Sequence, residues 1–420
     1  MKIKKLISFM VLTALFVMTI GPAVAVATPT VDTNLLRGEG GGSDPIIKVK
    51  WEMNGPCFDP STGYNDCSTV TGGEGTDADT DPGAQFMAPG VWNSSMNYTV
   101  CAIATDPNGV SDVNGVYADI YYPEGRSYHP EDPLHLDQIS GGTSSNWDYG
   151  VNACGAFIEQ NTLIKLDKDD GIDLFCNKIK NNNNNLPTFF PVAQNPADPN
   201  NPGPLYDYDE ICGVTGELEK EEAHVYCDDK TLTWEDPAGY YKVIVSAQDN
   251  AGNSSNYVEN HFAYLPLTSF AADFTAVNYG EVLLNVHKKI SGDLNFGTAS
   301  NPTVRNLGNT RLYMKVAQDD MGLGQSSGNW NVQYDARLGS NSADWRIYSP
   351  FKYKATAGDP TSDQYQILED ILDLSEEEEM DFSILVTKWP TVATTFVGDM
   401  WLSASPAQFR QCYGDPVNPL

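Results

Sequence analysis

Positive charge is scarce in this chain: 25 Lys and Arg stand against 56 Asp and Glu, for a formal net charge of −31 over 420 residues. The few cations form no cluster, which excludes the electrostatic footprint of a nucleic-acid binder. Such an acidic surface repels anionic lipid and favours divalent cations or a saline exterior; plain solubility explains it equally well. None of the eight cysteines forms a Cys-x-x-Cys pair, so a zinc ribbon or thioredoxin-like site has no basis. The missing Cys-x-x-Cys-His removes c-type haem, and no organic cofactor is expected. Beyond the N-terminus no run approaches the ~20 apolar residues of a membrane-spanning helix. No internal repeat points to a solenoid.

What is present begins with an export signal. Lys2, Lys4 and Lys5 precede an apolar run from Leu6 to Ile20, and Ala25-Val26-Ala27 supplies small residues for cleavage. Residues 1–27 are therefore expected to be a signal peptide, with no cysteine close behind to carry a lipid anchor. The mature chain is expected outside the cell, without a membrane span. In that compartment an even cysteine count suggests disulfides. Sequence proximity favours Cys57–Cys67 and Cys212–Cys227, with Cys154–Cys176 next.

The strand signal is clearest over Asp236–Asn253 (DPAGYYKVIVSAQDNAGN), where Tyr241, Val243, Val245 and Ala247 share one face. An Asp-x-x-Gly-x-Tyr lead into a late strand is how Ig-like sandwiches mark the tyrosine corner. MNYTVCAIAT and VYADIYY read as strands B and C, and AGYYKVIVSAQD with NYVENHFAYL as F and G. Residues 28–45 read as a flexible leader, 46–266 as an Ig-like sandwich, and about 126–230 as a long insertion inside it. Two stretches of the insertion, NTLIKLDKDDGIDLFCNKI and GELEKEEAHVYC, are expected to hold short helices. Residues 267–405 supply about seven further strand candidates, separated by turn signals, and 406–420 form a tail. The fold class is mostly β: two Ig-like or β-sandwich modules, the first with a long, disulfide-rich insertion containing short helices.

Calcium is the cofactor the loops suggest. The B–C and F–G loops of a sandwich share one end, which brings Asp106, Asn108 and Asp112 near Asp249, Asn250 and Asn253. The alternative is that these residues only make turns. Asp77, Asp79 and Asp81 resemble the opening of a calcium loop, but Pro82 and Ala88 stand where Gly and a bidentate acid are needed. HPEDPLH (129–135) could hold a metal only as a loop, because its prolines break the one-face helix of zincins. Gly324-Gln-Ser-x-Gly328 spells a nucleophile elbow in the wrong setting, ahead of a strand rather than a helix. Glu376–Glu379 reads as a solvated turn that repels edge pairing. Asn93, Asn97 and Asn253 carry glycosylation sequons. Tyr121, Tyr122, Trp147, Tyr206 and Tyr208 could stack on sugar rings.

Two resemblances follow from these segments. TVRNLGNTRLYMKVAQ, then LDLSEEEEMDFSILVTKWP and GDMWLSAS, resembles the closing half of camelysin-like surface modules of bacteria and archaea. CAIATDPNGVSDVNGV and VSAQDNAGN resemble the Ig-like domains of prokaryotic surface proteins, archaeal ones in particular. The resemblance implies cell-surface layers, matrix filaments or adhesion, and supplies no catalytic residues. The expectation is a secreted, non-enzymatic surface protein that self-associates or meets other surface proteins or glycans. The alternatives are a glycan- or protein-binding module and, behind it, a hydrolase using paired carboxylates in the insertion.

Overall fold

A computed structural model describes residues 43–55, 84–123, 157–179, 208–298, 301–351, 360–390 and 395–407, with the backbone of short strands at 58–59, 63–64, 193–195 and 198–203. The expected signal peptide, most of the leader, the tail beyond residue 407, Cys57–Cys67, Asp77, Asp79, Asp81 and the 129–135 loop lie outside the described residues. Among the described residues, no helix is long and apolar enough to cross a membrane.

The first module contains β1 (Ile46–Asn54), β2 (Phe58–Asp59), β3 (Gly63–Tyr64), β4 (Gln85–Met87), β5 (Ser95–Thr105), β6 (Val113–Tyr121), β7 (Phe157–Lys165), β8 (Ala193–Asn195), β9 (Asp198–Gly203), β10 (Ala223–Thr233), β11 (Gly239–Asp249) and β12 (Val258–Leu265). Eight of these form one sheet in the order β1-β5-β10-β7-β6-β11-β12-β4. Its weak point is the short β10–β7 ladder, which has the pairs Tyr226–Lys165 and Cys227–Ile164 and, beyond them, a bond from Leu166 N to the Val225 carbonyl at 2.9 Å. The sheet folds there, and its two halves close on one apolar core. Val100, Ala102 and Tyr226 come from one half; Val116, Tyr241, Val243 and Phe262 come from the other. Strand β6 lies between β7 and β11, and β11 pairs with β12, as strands C, F and G of an Ig-like sandwich do. Strict in–out alternation along β11 puts Tyr241 in the core, where its hydroxyl donates to the Pro237 carbonyl at 2.8 Å. The tyrosine corner read from the sequence is thus formed.

The half-sheet β1-β5-β10 is covered on both faces, so β5 is buried continuously from Tyr98 to Thr105 rather than on alternate residues. Its outer face packs Val49, Trp51, Ile103 and Val225 against Leu174, Phe175, Ile211 and Leu218. The cover is a helical segment, Lys168–Ile172, that continues in π-helical turns through Asp173–Ile179, together with the turns after Ile211. A Cβ at Gly171 would meet Val225 Cγ2 at 3.1 Å, so the helix lies directly on β10.

Three expectations are corrected here. The span 126–230 is not wholly an insertion, because β7 and β10 are strands of the sandwich itself. The stretch expected to hold a helix at GELEKEEAHVYC is turn followed by strand. The disulfides are Cys101–Cys227 and Cys176–Cys212, not Cys212–Cys227 or Cys154–Cys176. Cys101 and Cys227 are 126 residues apart in sequence but directly opposed across β5 and β10. Sheet adjacency, not loop length, sets the pairing.

The second module contains β13 (Phe270–Ala272), β14 (Lys288–Ile290), β15 (Thr303–Asn306), β16 (Leu312–Gln318), β17 (Gln325–Ser326), β18 (Asn329–Trp330), β19 (Val332–Leu338), β20 (Arg346–Tyr348), β21 (Gln366–Leu372), β22 (Glu377–Val386) and β23 (Met400–Pro406). One sheet runs β13-β15-β22-β19-β20, with β14 also on β22; the other runs β21-β16-β23. Their core includes Met314, Val316, Tyr334, Leu368, Phe382 and Ile384. The acidic run is not a free turn: Glu377, Glu378 and Glu379 pair with Arg305, Val304 and Thr303 of β15. Burial, the largest cause, pushes the Glu376 carboxyl up to about 8 and that of Glu378 up to about 7.

The motif Asn306-Leu-Gly-Asn309 joins the modules. Asn309 is buried; its Oδ1 accepts from Leu267 N at 2.7 Å and its Nδ2 donates to Leu265 O at 3.0 Å. Its own carbonyl accepts from Ala238 N of the first module at 2.9 Å. Gly308 allows this approach, since a Cβ there would lie 2.0 Å from the Leu267 carbonyl oxygen. Beside it the Arg305 guanidinium sits over Trp92, 4.9 Å from the ring centre.

Candidate functional site

Two turns meet at the end of the first sandwich where β5 leads into β6 and β11 leads towards β12. In the first turn, Asp106 Oδ1 accepts from Asn108 N at 2.7 Å and the Asp106 carbonyl accepts from Gly109 N at 2.9 Å. A short 3-10 turn over Val110–Asp112 then opens β6. In the second turn, Asp249 Oδ1 accepts from Asn253 N and Oδ2 from Asn253 Nδ2, each at 2.7 Å. Gly252, at φ 87°, supplies the left-handed residue this turn requires. The turns are laced together: Asn250 N donates to the Asp112 carbonyl at 2.9 Å, and Asn250 Nδ2 to Asp112 Oδ1 at 3.1 Å.

This geometry brings one oxygen each of Asp106, Asp112 and Asp249 within 4.8 Å of one another. Asp106 is 4% exposed, and its Oδ2 is buried without a hydrogen-bond partner. A buried carboxylate oxygen with nothing to accept from is costly, and a cation is the partner that would satisfy it. Burial, the largest cause, pushes the Asp106 carboxyl up; the Asn108 N–H opposes it, and the Asp112, Asp249 and Asp44 carboxylates add to it. At Asp249 burial is the largest single cause and pushes the carboxyl up, but the hydrogen bonds from Asn253, Ala251 and Gly252 together outweigh it and hold the carboxyl below the usual range. A hard oxygen donor set with this excess of negative charge suits calcium.

All six residues expected from the loops meet at this end, but in two roles. Asp106, Asp112 and Asp249 present carboxylates. Asn250 and Asn253 spend their amide N–H groups bracing Asp112 and Asp249, and Asn108 Nδ2 reaches the Ser43 carbonyl at 3.3 Å. Asp44, in the stretch expected to be flexible leader, joins the electrostatics of the site. The signal for it is register: Ile46 pairs with Thr105, so the residues just before β1 lie beside Asp106.

The other candidates separate. Gly324–Gly328 forms the β17–β18 ribbon, not a strand–elbow–helix, and Ser326 Oγ accepts from Lys388 Nζ at 2.8 Å. Of the sequons, Asn93 and Asn97 are exposed, whereas Asn253 is half-buried in the clasp on Asp249. Tyr121 lies under Lys242, and Tyr122 packs edge-on against Tyr241. Trp147 and Tyr206 lie outside the described residues.

Comparison with known proteins gives little. No family model and no curated protein matches this chain. Among solved structures, the C-terminal domain of the Streptococcus agalactiae AgI/II polypeptide BspA aligns at 10% identity over 82% of this chain and 91% of that one, with a TM-score of 0.16. The native conformation of E. coli alpha-2-macroglobulin aligns at 12% identity over 77% of this chain and 16% of that one, also with a TM-score of 0.16. Scores this low carry no argument, and neither the camelysin-like nor the archaeal part of the resemblance gains support. The two disulfides do fit an extracellular or cell-surface protein.

Proposed function

We propose that this is a structural or adhesive protein of the cell surface or extracellular matrix, with a first sandwich stiffened by calcium at its loop end. The observation that carries the cation is the buried, unpartnered Oδ2 of Asp106 among the Asp112 and Asp249 carboxylates. Supporting the surface role are the disulfides, a half-sheet buried on both faces, and the close hydrogen-bonded join between modules. Those features resist deformation, and a protein that self-associates or adheres outside the cell needs such resistance. The reading assigns no catalytic residue.

The test is electron microscopy of the mature protein with calcium and again after chelation. Ordered filaments or sheets that disperse on chelation are the expected result; dispersed monomers in both conditions would contradict self-assembly. Calorimetry in parallel should show stabilisation of about 2–3 kcal/mol at calcium a hundredfold above its dissociation constant. Asp106→Asn should abolish that gain.

A further inference from the structure

The corner where the first sheet folds holds a second arrangement with its own chemistry. Past the last β7–β10 pair the strands part, and the same antiparallel register sets Lys230 opposite Asn161. Lys230 Nζ donates to Asn161 Oδ1 at 2.6 Å and lies 2.5 Å from Asp228 Oδ2. The Lys230 side chain is only 11% exposed and that of Asp228 23%. Asn161 Nδ2 is buried and has no hydrogen-bond partner. Alternation puts all three on the inner face, because Tyr226 and Leu232 on β10 and Leu163 on β7 belong to the sandwich core.

We propose that Lys230 and Asn161 join in an intramolecular isopeptide bond, with Asp228 as the proton carrier. The Lys230 ammonium gives a proton to Asp228, and the freed amine attacks Asn161 Cγ. The Nζ–Cγ bond forms and the Cγ–Nδ2 bond breaks. The two protons lost by Nζ end on the departing nitrogen, one of them carried by Asp228, so an ammonium ion leaves. Nothing is oxidised or reduced, and no outside reactant is needed. The amine is already held against the amide it attacks, which replaces a bimolecular encounter with an intramolecular one. The leaving Nδ2 makes no hydrogen bond that would have to be broken. The new bond closes the corner at which the two half-sheets are held by the short β7–β10 ladder. With Cys101–Cys227 one strand away, β5, β10 and β7 become covalently continuous.

The bond is tested by intact mass and peptide mapping of the full secreted chain after reduction and alkylation. The wild type should be lighter than its sequence by one ammonia, about 17 Da, with a branched peptide joining the segments around Asn161 and Lys230. Lys230→Arg, Asn161→Ala and Asp228→Ala should each restore the full mass, the last while keeping the wild-type circular dichroism spectrum. A wild type at full mass that trypsin cleaves after Lys230 would overturn the proposal. So would a mass loss that persists in Lys230→Arg, as an asparagine succinimide would give. The result is independent of calcium, so the cation reading and this one can fail separately.

Discussion

The two sandwiches are stabilised by different means. The first carries both described disulfides, a half-sheet covered on both faces and a carboxylate cluster suited to a cation. The second has no cysteine among its described residues and relies on an apolar core and buried polar networks. Arg311 Nε donates to Asp373 Oδ1 at 2.8 Å, Arg337 binds Asp381 at 2.6 Å, and Glu376 and Glu378 hold their protons towards neutral pH. The first module should therefore answer to redox state and metal, the second to pH. Asn309 joins them and should matter to both.

The largest effect should come from the cross-strand disulfide. Replacing Cys101 and Cys227 by Ala should cost about 3–5 kcal/mol, because the bond closes a very long loop. Region-resolved hydrogen exchange should show β5 and β10 opening while β19 and β22 keep their protection; equal loss in both modules would erase the contrast. Asn309→Ala comes next, at about 2–3 kcal/mol, since it strands the Leu267 N–H and Leu265 carbonyl at the join. Its signature in chemical denaturation is a single transition splitting into two.

The pH response of the second module sharpens the comparison further. Glu376 and Glu378 titrate above their usual 4.5, at about 8 and about 7, so the folded chain binds more protons than the unfolded chain between those limits. Their contribution is greatest below pH 4.5 and falls as pH rises through about 7 and 8. Glu376→Gln should raise the melting temperature at pH 8.5 by a few degrees and leave it unchanged at pH 4.5. Tyr241→Phe is the smallest change, about 1 kcal/mol, from losing the bond to the Pro237 carbonyl; equilibrium denaturation would measure it.

The sequence showed best what alternation and local turn chemistry specify. Strand β11 and its corner, the β11–β12 hairpin, β16, β19 and β22 are legible because each buries one face. Strand β10 is not, because it is covered on both sides and its Asp228-Asp229-Lys230 run breaks the apolar pattern. Nor is β21, whose Ile367, Leu368, Ile371 and Leu372 recur at helical spacing. Disulfide partners depend on which strands lie side by side, which spacing along the chain does not contain. The site was legible to the level of loops, because sandwich topology puts B–C and F–G turns at one end. The unpartnered oxygen of Asp106 and the bracing role of the asparagines depend on side-chain direction. The Asn306-Leu-Gly-Asn309 motif, read as a family mark, is the hydrogen-bonded join between modules.

The most direct test of the account is hydrogen exchange of the intact protein with calcium and with chelator, read segment by segment. The account predicts that calcium slows exchange at 106–112 and 249–253 and in the adjoining ends of β6 and β11, that Asp106→Asn abolishes the effect, and that the second module does not change. Identical exchange in both conditions, or a calcium effect that survives in Asp106→Asn, would contradict it.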